Sequence, residues 1–232
     1  MHFHLPKPLH GWRELVGEVG IIVIGVLIAL GAEQVVEAVH WHYKVEATET
    51  AIKTELGDDL RWALWIKQTN ACATKFIDKI EAAVVANDTV SARKLLDAGG
   101  VDDAFPAGAW SSGTYTAALN SQGEDHLPEG LMASYSREFT WVPMQLQFQF
   151  EVYEEIATIT PVRLGLPVTP DITEGRVAAI ERLRSEQRGR VEISEAMLDY
   201  AREHLNIGPS NPAYIADNRA HAEQCARRIS AI

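Results

Sequence analysis

One segment limits what this chain can be. Leu15 to Val39 reads LVGEVGIIVIGVLIALGAEQVVEAV, and its uncharged stretch, Val19–Ala32, is 14 residues long. A stretch that short suits a core helix or the apolar part of a signal peptide as well as a membrane span. The flanks favour the span. Trp12 stands at one end, and Trp41 with Tyr43 at the other, where a bilayer has its two aromatic belts. Trp12 and Trp41 are 29 residues apart, about 44 Å of helix at a rise of about 1.5 Å per residue. A bilayer with its headgroups is about 40–45 Å thick. Residues 13–41 are therefore expected to cross a membrane, with 1–12 as a short tail and 42–232 as a domain on the other side.

Composition agrees with one span. A mean hydropathy of -0.09 excludes a multi-span protein. Hydrophobic residues at 47% and charged residues at 23% leave an ordinary globular remainder. Lys7 and Arg13 precede the span, whereas Glu33, Glu37, Glu46 and Glu49 outnumber Lys44 after it. The positive-inside rule then places the N-terminus in the cytoplasm; in a bacterial inner membrane the bulk is periplasmic. A cleaved signal peptide is the competing reading, with Ala29-Leu30-Gly31 as its small-x-small site. Against it, the weakly apolar helical pattern continues through Val35, Val36 and Val39.

Within the span, Glu18, Gly25 and Ala32 recur every seven residues, and Ala29 and Glu14 share their side. A stripe of small residues lets a second helix approach closely, and a carboxylate at the hydrocarbon edge is costly without a partner. The alternative is a Glu18 that reaches the headgroups, with incidental glycines. The run Gly17-Glu18-Val19-Gly20-Ile21-Ile22-Val23-Ile24-Gly25-Val26-Leu27-Ile28-Ala29-Leu30 resembles the N-terminal anchor of a domain-of-unknown-function family of bacterial membrane proteins. That anchor has a Gly-Glu-Ile/Val start and an Ile-Gly-Ile/Val-Leu-Ile-Ala-Leu core. The likeness covers about forty N-terminal residues. Where the family continues into an Asn-Asn-Trp-like stretch, this chain has Ala32-Glu33-Gln34-Val35. The resemblance implies a single-span protein with a helical extracytoplasmic part, and no activity.

The remainder reads as helices, and the expected fold class is all-α: the transmembrane helix continuing into an antiparallel bundle. Trp41, Val45, Thr48, Ile52, Leu56, Leu60 and Leu64 follow i+3/i+4 spacing, with Gly57-Asp58 the weakest point. A further helix is expected over Ala73–Ala86. A short one is expected over Val90–Ala98, between Asn87-Asp88 as N-cap and Gly99-Gly100 as stop. Residues 99–130 are irregular, with a helical turn over Thr114–Asn120. Leu131–Thr140 is helical, and Pro143 breaks it or opens the next helix. Met144–Val152 alternates like a strand, yet Met144, Phe148, Val152 and Ile156 suit a helix, and no second strand exists to pair with it; helix is the preferred reading. Pro161–Pro170 is a linker. Asp171 or Thr173 caps a helix to Leu205 whose buried face includes Ile180, Leu183, Val191, Leu198 and Ala201; a last helix covers Ala213–Ser230.

Chemistry is sparse. Two cysteines exclude a disulfide-dense scaffold and a multi-cysteine zinc module. Cys72 and Cys225 lie in different helices and are expected to bond in a periplasmic domain; two buried thiols that never meet are the alternative. Asp217, His221 and Cys225 share a helical face, but a disulfide would use the same sulfur, so no metal is expected. Neither a P-loop nor a G-x-S-x-G, H-E-x-x-H or G-x-G-x-x-G pattern occurs, and no cofactor is expected. Trp110, Ser112 and Tyr115 in the irregular stretch are the best candidates to line a small-ligand pocket, against a loop that simply packs its Trp. Trp62 and Trp65 read as core or interface.

The net charge of -11 argues against a nucleic-acid partner, which needs a basic face. The leading expectation is an accessory or scaffold subunit, not an enzyme. Its partners would be the lipid bilayer and, through the transmembrane helix, itself or another membrane protein. A periplasmic sensor domain that signals through a partner is the second reading, because about twelve cytoplasmic residues are too few for an output domain.

Overall fold

A computed structural model describes residues 11–97, 100–121, 126–161 and 170–232, and of Glu14, Glu129, Pro170 and Asp171 the backbone alone. Lys7, Gly99, the linker core 162–169 and the side chain of Asp171 thus lie outside what is described. All elements among the described residues are helical: α1 (Trp12–Val85), α2 (Thr89–Asp97), α3 (Gly100–Ala104), α4 (Gly113–Leu119), α5 (Glu129–Phe139), α6 (Trp141–Ile159), α7 (Pro170–Tyr200), a π-helical turn (Ala201–Leu205) and α8 (Pro212–Ala231). The chain divides into two compact units between Ala47 and Thr48, six residues beyond the expected boundary.

The first unit contains a helical stretch long and apolar enough to cross a membrane. Its most apolar 18-residue window has a mean hydropathy of 2.5, and none of that window is buried within the chain.

The second unit, Thr48–Ile232, is a bundle. Here α1 buries Ile52, Leu56, Asp59, Leu60, Ala63, Ile66, Thr69, Cys72, Ala73, Phe76, Ile77, Ile80, Ala83 and Val84. That is one face of a helix at three- and four-residue steps, the seam of a bundle. The expected separate helix at Ala73 is the continuation of α1, because no cap or breaker stands between Leu60 and Val85. The real stop is Asn87. Its φ of 55° is left-handed. The Asn87 N–H donates to the Val84 carbonyl (3.1 Å) and that of Asp88 to Ala83 (2.8 Å), a Schellman closure. Asp88 then starts α2, its Oδ1 accepting from the Val90 and Ser91 N–H groups at 3.2 and 3.0 Å.

Met144–Val152 lies within α6, which settles the strand-or-helix question. Pro143 sits in the first turn, where its missing N–H costs nothing. The buried face is Val142, Gln145, Val152, Ile156 and Ile159, so the strand-like alternation of glutamines was misleading. Met144, which aligns with Phe148, Val152 and Ile156 at four-residue steps, is 45% exposed.

Helix α7 runs antiparallel to α6: Arg182 pairs with Glu155 (2.6 Å), and Gln145 reaches the Arg190 carbonyl and Ser194 Oγ (3.1 and 3.0 Å). The contact is close, since a Cβ on Gly189 would lie 2.7 Å from the Phe148 ring. Its buried face differs from expectation. Val191 and Leu198 are only half-buried, while Arg176, Gln187, Arg190 and Ser194 join Ala179, Ile180, Leu183, Met197 and Ala201 inside. Helix α8 returns alongside α1. Asn211 caps it, accepting from the Tyr214 N–H at 3.3 Å. Trp62 and Trp65 stack at 5.3 Å, Tyr214 meets both edge-on, and Arg61 lies 4.8 Å over the Tyr214 ring, so these rings staple α8 to α1.

Candidate functional site

Three places bear on function. The first joins α1 and α8. Cys72 and Cys225, 153 residues apart, stand at disulfide distance with Cα atoms 5.8 Å apart. They are fully buried beside Phe76, Phe105, Leu95 and Ile229. His221, one turn before Cys225, turns elsewhere: its Nε2 lies 2.6 Å from Asp103 Oδ1, and Arg228 also pairs with Asp103. Among the described residues no three His, Cys, Asp or Glu side chains are grouped to hold a metal.

The second is the loop of Trp110, Ser112 and Tyr115. The loop is tied to α1 through two carboxylates. Glu55 accepts from Ser111 Oγ (2.6 Å) and from the N–H groups of Thr114 and Tyr115 (3.0 and 3.1 Å), capping α4 from outside it. Asp59 Oδ1 accepts from the Ser111 N–H at 3.1 Å. Tyr115 stacks on Phe139 with ring centres 4.6 Å apart. Trp110 is buried over Gly108, where a Cβ would meet its indole Nε1 at 2.5 Å. Trp110 and Tyr115 thus face protein, and Ser112 is half-buried at the start of α4.

Sequence periodicity passes over what lies beneath this loop. Asp59 and Glu138 are 1% and 0% exposed. Asp59 Oδ2 and both carboxyl oxygens of Glu138 have no hydrogen-bond partner among the described residues. Burial pushes Asp59 up to about 8, against the pull of the Ser111 N–H and with help from Glu55 and Asp58. Burial and the nearby Asp59 raise Glu138 to about 8. Glu55 goes the other way. Burial raises it, but the donors from Ser111, Thr114 and Tyr115 outweigh that and hold it below the ordinary range. The structure thus keeps Asp59 and Glu138 protonated at neutral pH and Glu55 charged. The sequence did carry one signal: Asp59 occupies a core step in the series Ile52, Leu56, Ala63, Ile66.

The third place is the span. Glu18, Gly25, Ala29 and Ala32 are all exposed. A Cβ on Gly25 would meet nothing within 4 Å. The stripe has no partner within the described chain. Comparison with models of protein families, with curated proteins and with solved structures finds no match for this chain.

Proposed function

We propose that this is a single-span, membrane-anchored helical protein that serves as an accessory or scaffold subunit of a homo- or hetero-oligomeric inner-membrane complex. Its N-terminus lies in the cytoplasm and Thr48–Ile232 in the periplasm. One observation carries the reading. The apolar helix leaves its large side chains open, with Ile21 74%, Ile28 67% and Val36 69% exposed. The core helix of a soluble protein buries such residues; these need lipid or another helix. The positive residues before the span and the anchor's resemblance to single-span bacterial proteins support the topology. The stripe of Glu18, Gly25, Ala29 and Ala32 supplies a surface for a second helix. In a periplasm, Cys72 and Cys225 are oxidised to a disulfide.

The test is to extract the full chain into native nanodiscs, weigh the particle and identify every chain in it. Several copies, or a reproducible second membrane protein, are expected. Gly25→Leu with Ala29→Leu should reduce the particle to a monomer. An unchanged particle in that double variant rejects the stripe as the interface, and a monomeric wild type rejects the subunit reading.

A further inference from the structure

Two carboxyl groups meet beneath the Trp110 loop, one from each of two helices. Asp59 on α1 is 1% exposed and Glu138 on α5 is 0% exposed. Asp59 Oδ1 accepts from the Ser111 N–H. The other three oxygens, Asp59 Oδ2 and both of Glu138, have no hydrogen-bond partner among the described residues. Tyr135, one turn before Glu138 on α5, is also 0% exposed, and its Oη has no partner there either. The charges that bear on the pair are negative: Glu55 and Asp58 on Asp59, and Asp59 on Glu138.

Neutralising this pair takes positive charge. Protons supply it, but each carboxylic acid then carries a buried O–H that lacks an acceptor. Buried polar groups left unbonded are costly. A cation held by the same oxygens removes the charge and the unmet bonding together. The donors are oxygens alone, the set that suits hard cations rather than zinc or copper. Two carboxylates balance one divalent ion, whereas a sodium ion leaves one of them unbalanced. Magnesium holds on to several waters, for which so deeply buried a pair leaves little room. Calcium takes about six to eight oxygens in a looser geometry.

We propose that Asp59 and Glu138 form a calcium site that joins α1, α5 and the loop at Ser111. The two carboxylates hold the ion. Glu55, half-buried and charged beside them, adds to the negative field that draws it in. The bound ion ties α1 to α5 where their carboxyl groups lack other partners, and it fixes the loop that buries Trp110. Entry is by way of that loop, whose bond from Ser111 Oγ to Glu55 is exposed. The site is independent of how the span associates, and either outcome for the subunit reading leaves it standing.

The experiment is calorimetric titration of the full chain in phosphatidylcholine nanodiscs with calcium chloride, after a chelator has stripped divalent ions. Lipid-only nanodiscs are the blank and magnesium chloride is the comparison. A pH of about 8.5 limits competition from protons. One calcium per chain should bind, about tenfold or more tighter than magnesium. Glu138→Gln and Asp59→Asn should each weaken binding by about a hundredfold or more, since loss of even an outer-shell partner costs about 10–100-fold. Both substitutions keep the size of the side chain, and unchanged hydrogen exchange near Cys72 checks that the variants are folded. Calcium should slow exchange at the Ser111 N–H in the wild type and not in Glu138→Gln. No calcium binding overturns the proposal, as does binding undiminished in Glu138→Gln, which assigns the ion to surface acids. Magnesium binding as tightly as calcium overturns the choice of ion.

Discussion

The bundle holds two cores built on opposite terms. Cys72 and Cys225 belong to a buried apolar cluster with Phe76, Ile77, Ile80, Leu95, Phe105, Ile156, Ile180 and Ile229. Elsewhere in the bundle Asp59, Glu138, Gln145 and Arg190 are buried, each with a side-chain atom that has no hydrogen-bond partner among the described residues. Arg190 is 1% exposed, and its Nη2 donates to the Pro106 carbonyl at 2.8 Å. Burial lowers its pKa to about 10, partly offset by Tyr153. The apolar core gains from each contact. The polar one places ionisable and hydrogen-bonding groups where water cannot solvate them, which is costly for each group left unbonded. Stability therefore comes mostly from the first core. The second pins α6 against α7, since Gln145 Nε2 donates to the Arg190 carbonyl and to Ser194 Oγ.

The largest expected effect breaks the first core. Cys72→Ala with Cys225→Ala opens a loop spanning 153 residues, and should cost about 5 kcal/mol in the chain-entropy account. Urea midpoints of oxidised wild type and variant measure it; equal midpoints would mean that the bond contributes nothing.

The second prediction uses pH to weaken the other core. Burial pushes Asp59 and Glu138 up to about 8 in the fold, from ordinary values of 3.8 and 4.5. The unfolded chain releases those protons first. Their contribution is fully present below about pH 4 and is lost as pH rises toward 8. Glu138→Gln should remove much of this slope and, at pH 8, be more stable than wild type by on the order of 2–4 kcal/mol. A wild-type urea midpoint that stays flat from pH 4 to 8 would contradict this.

Two smaller effects sharpen the comparison. Gly189→Ala pushes a methyl into the Phe148 ring and should cost about 1–3 kcal/mol in thermal unfolding. Glu55→Gln keeps the size but weakens the cap on α4, at about 1 kcal/mol. Local hydrogen exchange at Thr114 and Tyr115 should rise more than exchange near Cys72. Equal increases at both places would mean that the two cores unfold as one.

The apolar core was legible and the polar one was not, for one reason. Apolar spacing marks a helix face, and Ile52, Leu56 and Leu60 are buried steps of α1. On α7 the steps Arg176, Gln187, Arg190 and Ser194 are core positions filled by polar side chains. Apolar spacing points instead to Val191 and Leu198, which lie beside the true face. Asp59 was passed over for the same reason. In α6, alternating glutamines imitated a strand because Gln145 points inward and Gln147 outward to Glu151 (2.8 Å). Trp110 was legible as a conspicuous residue. That its ring covers Gly108 depends on a loop whose anchors, Glu55 and Asp59, lie more than fifty residues earlier.

The pairing of α1 with α8 has a consequence for the order of synthesis. Phe76 and Ile80 emerge early, whereas Cys225 and Ile229, which cover them, emerge about 150 residues later. At about 5–20 residues per second that interval is on the order of ten seconds. Throughout it the part of the inner face of α1 that α8 covers is bare. The bundle therefore closes over Phe76 and Ile80 only after α8 has been made.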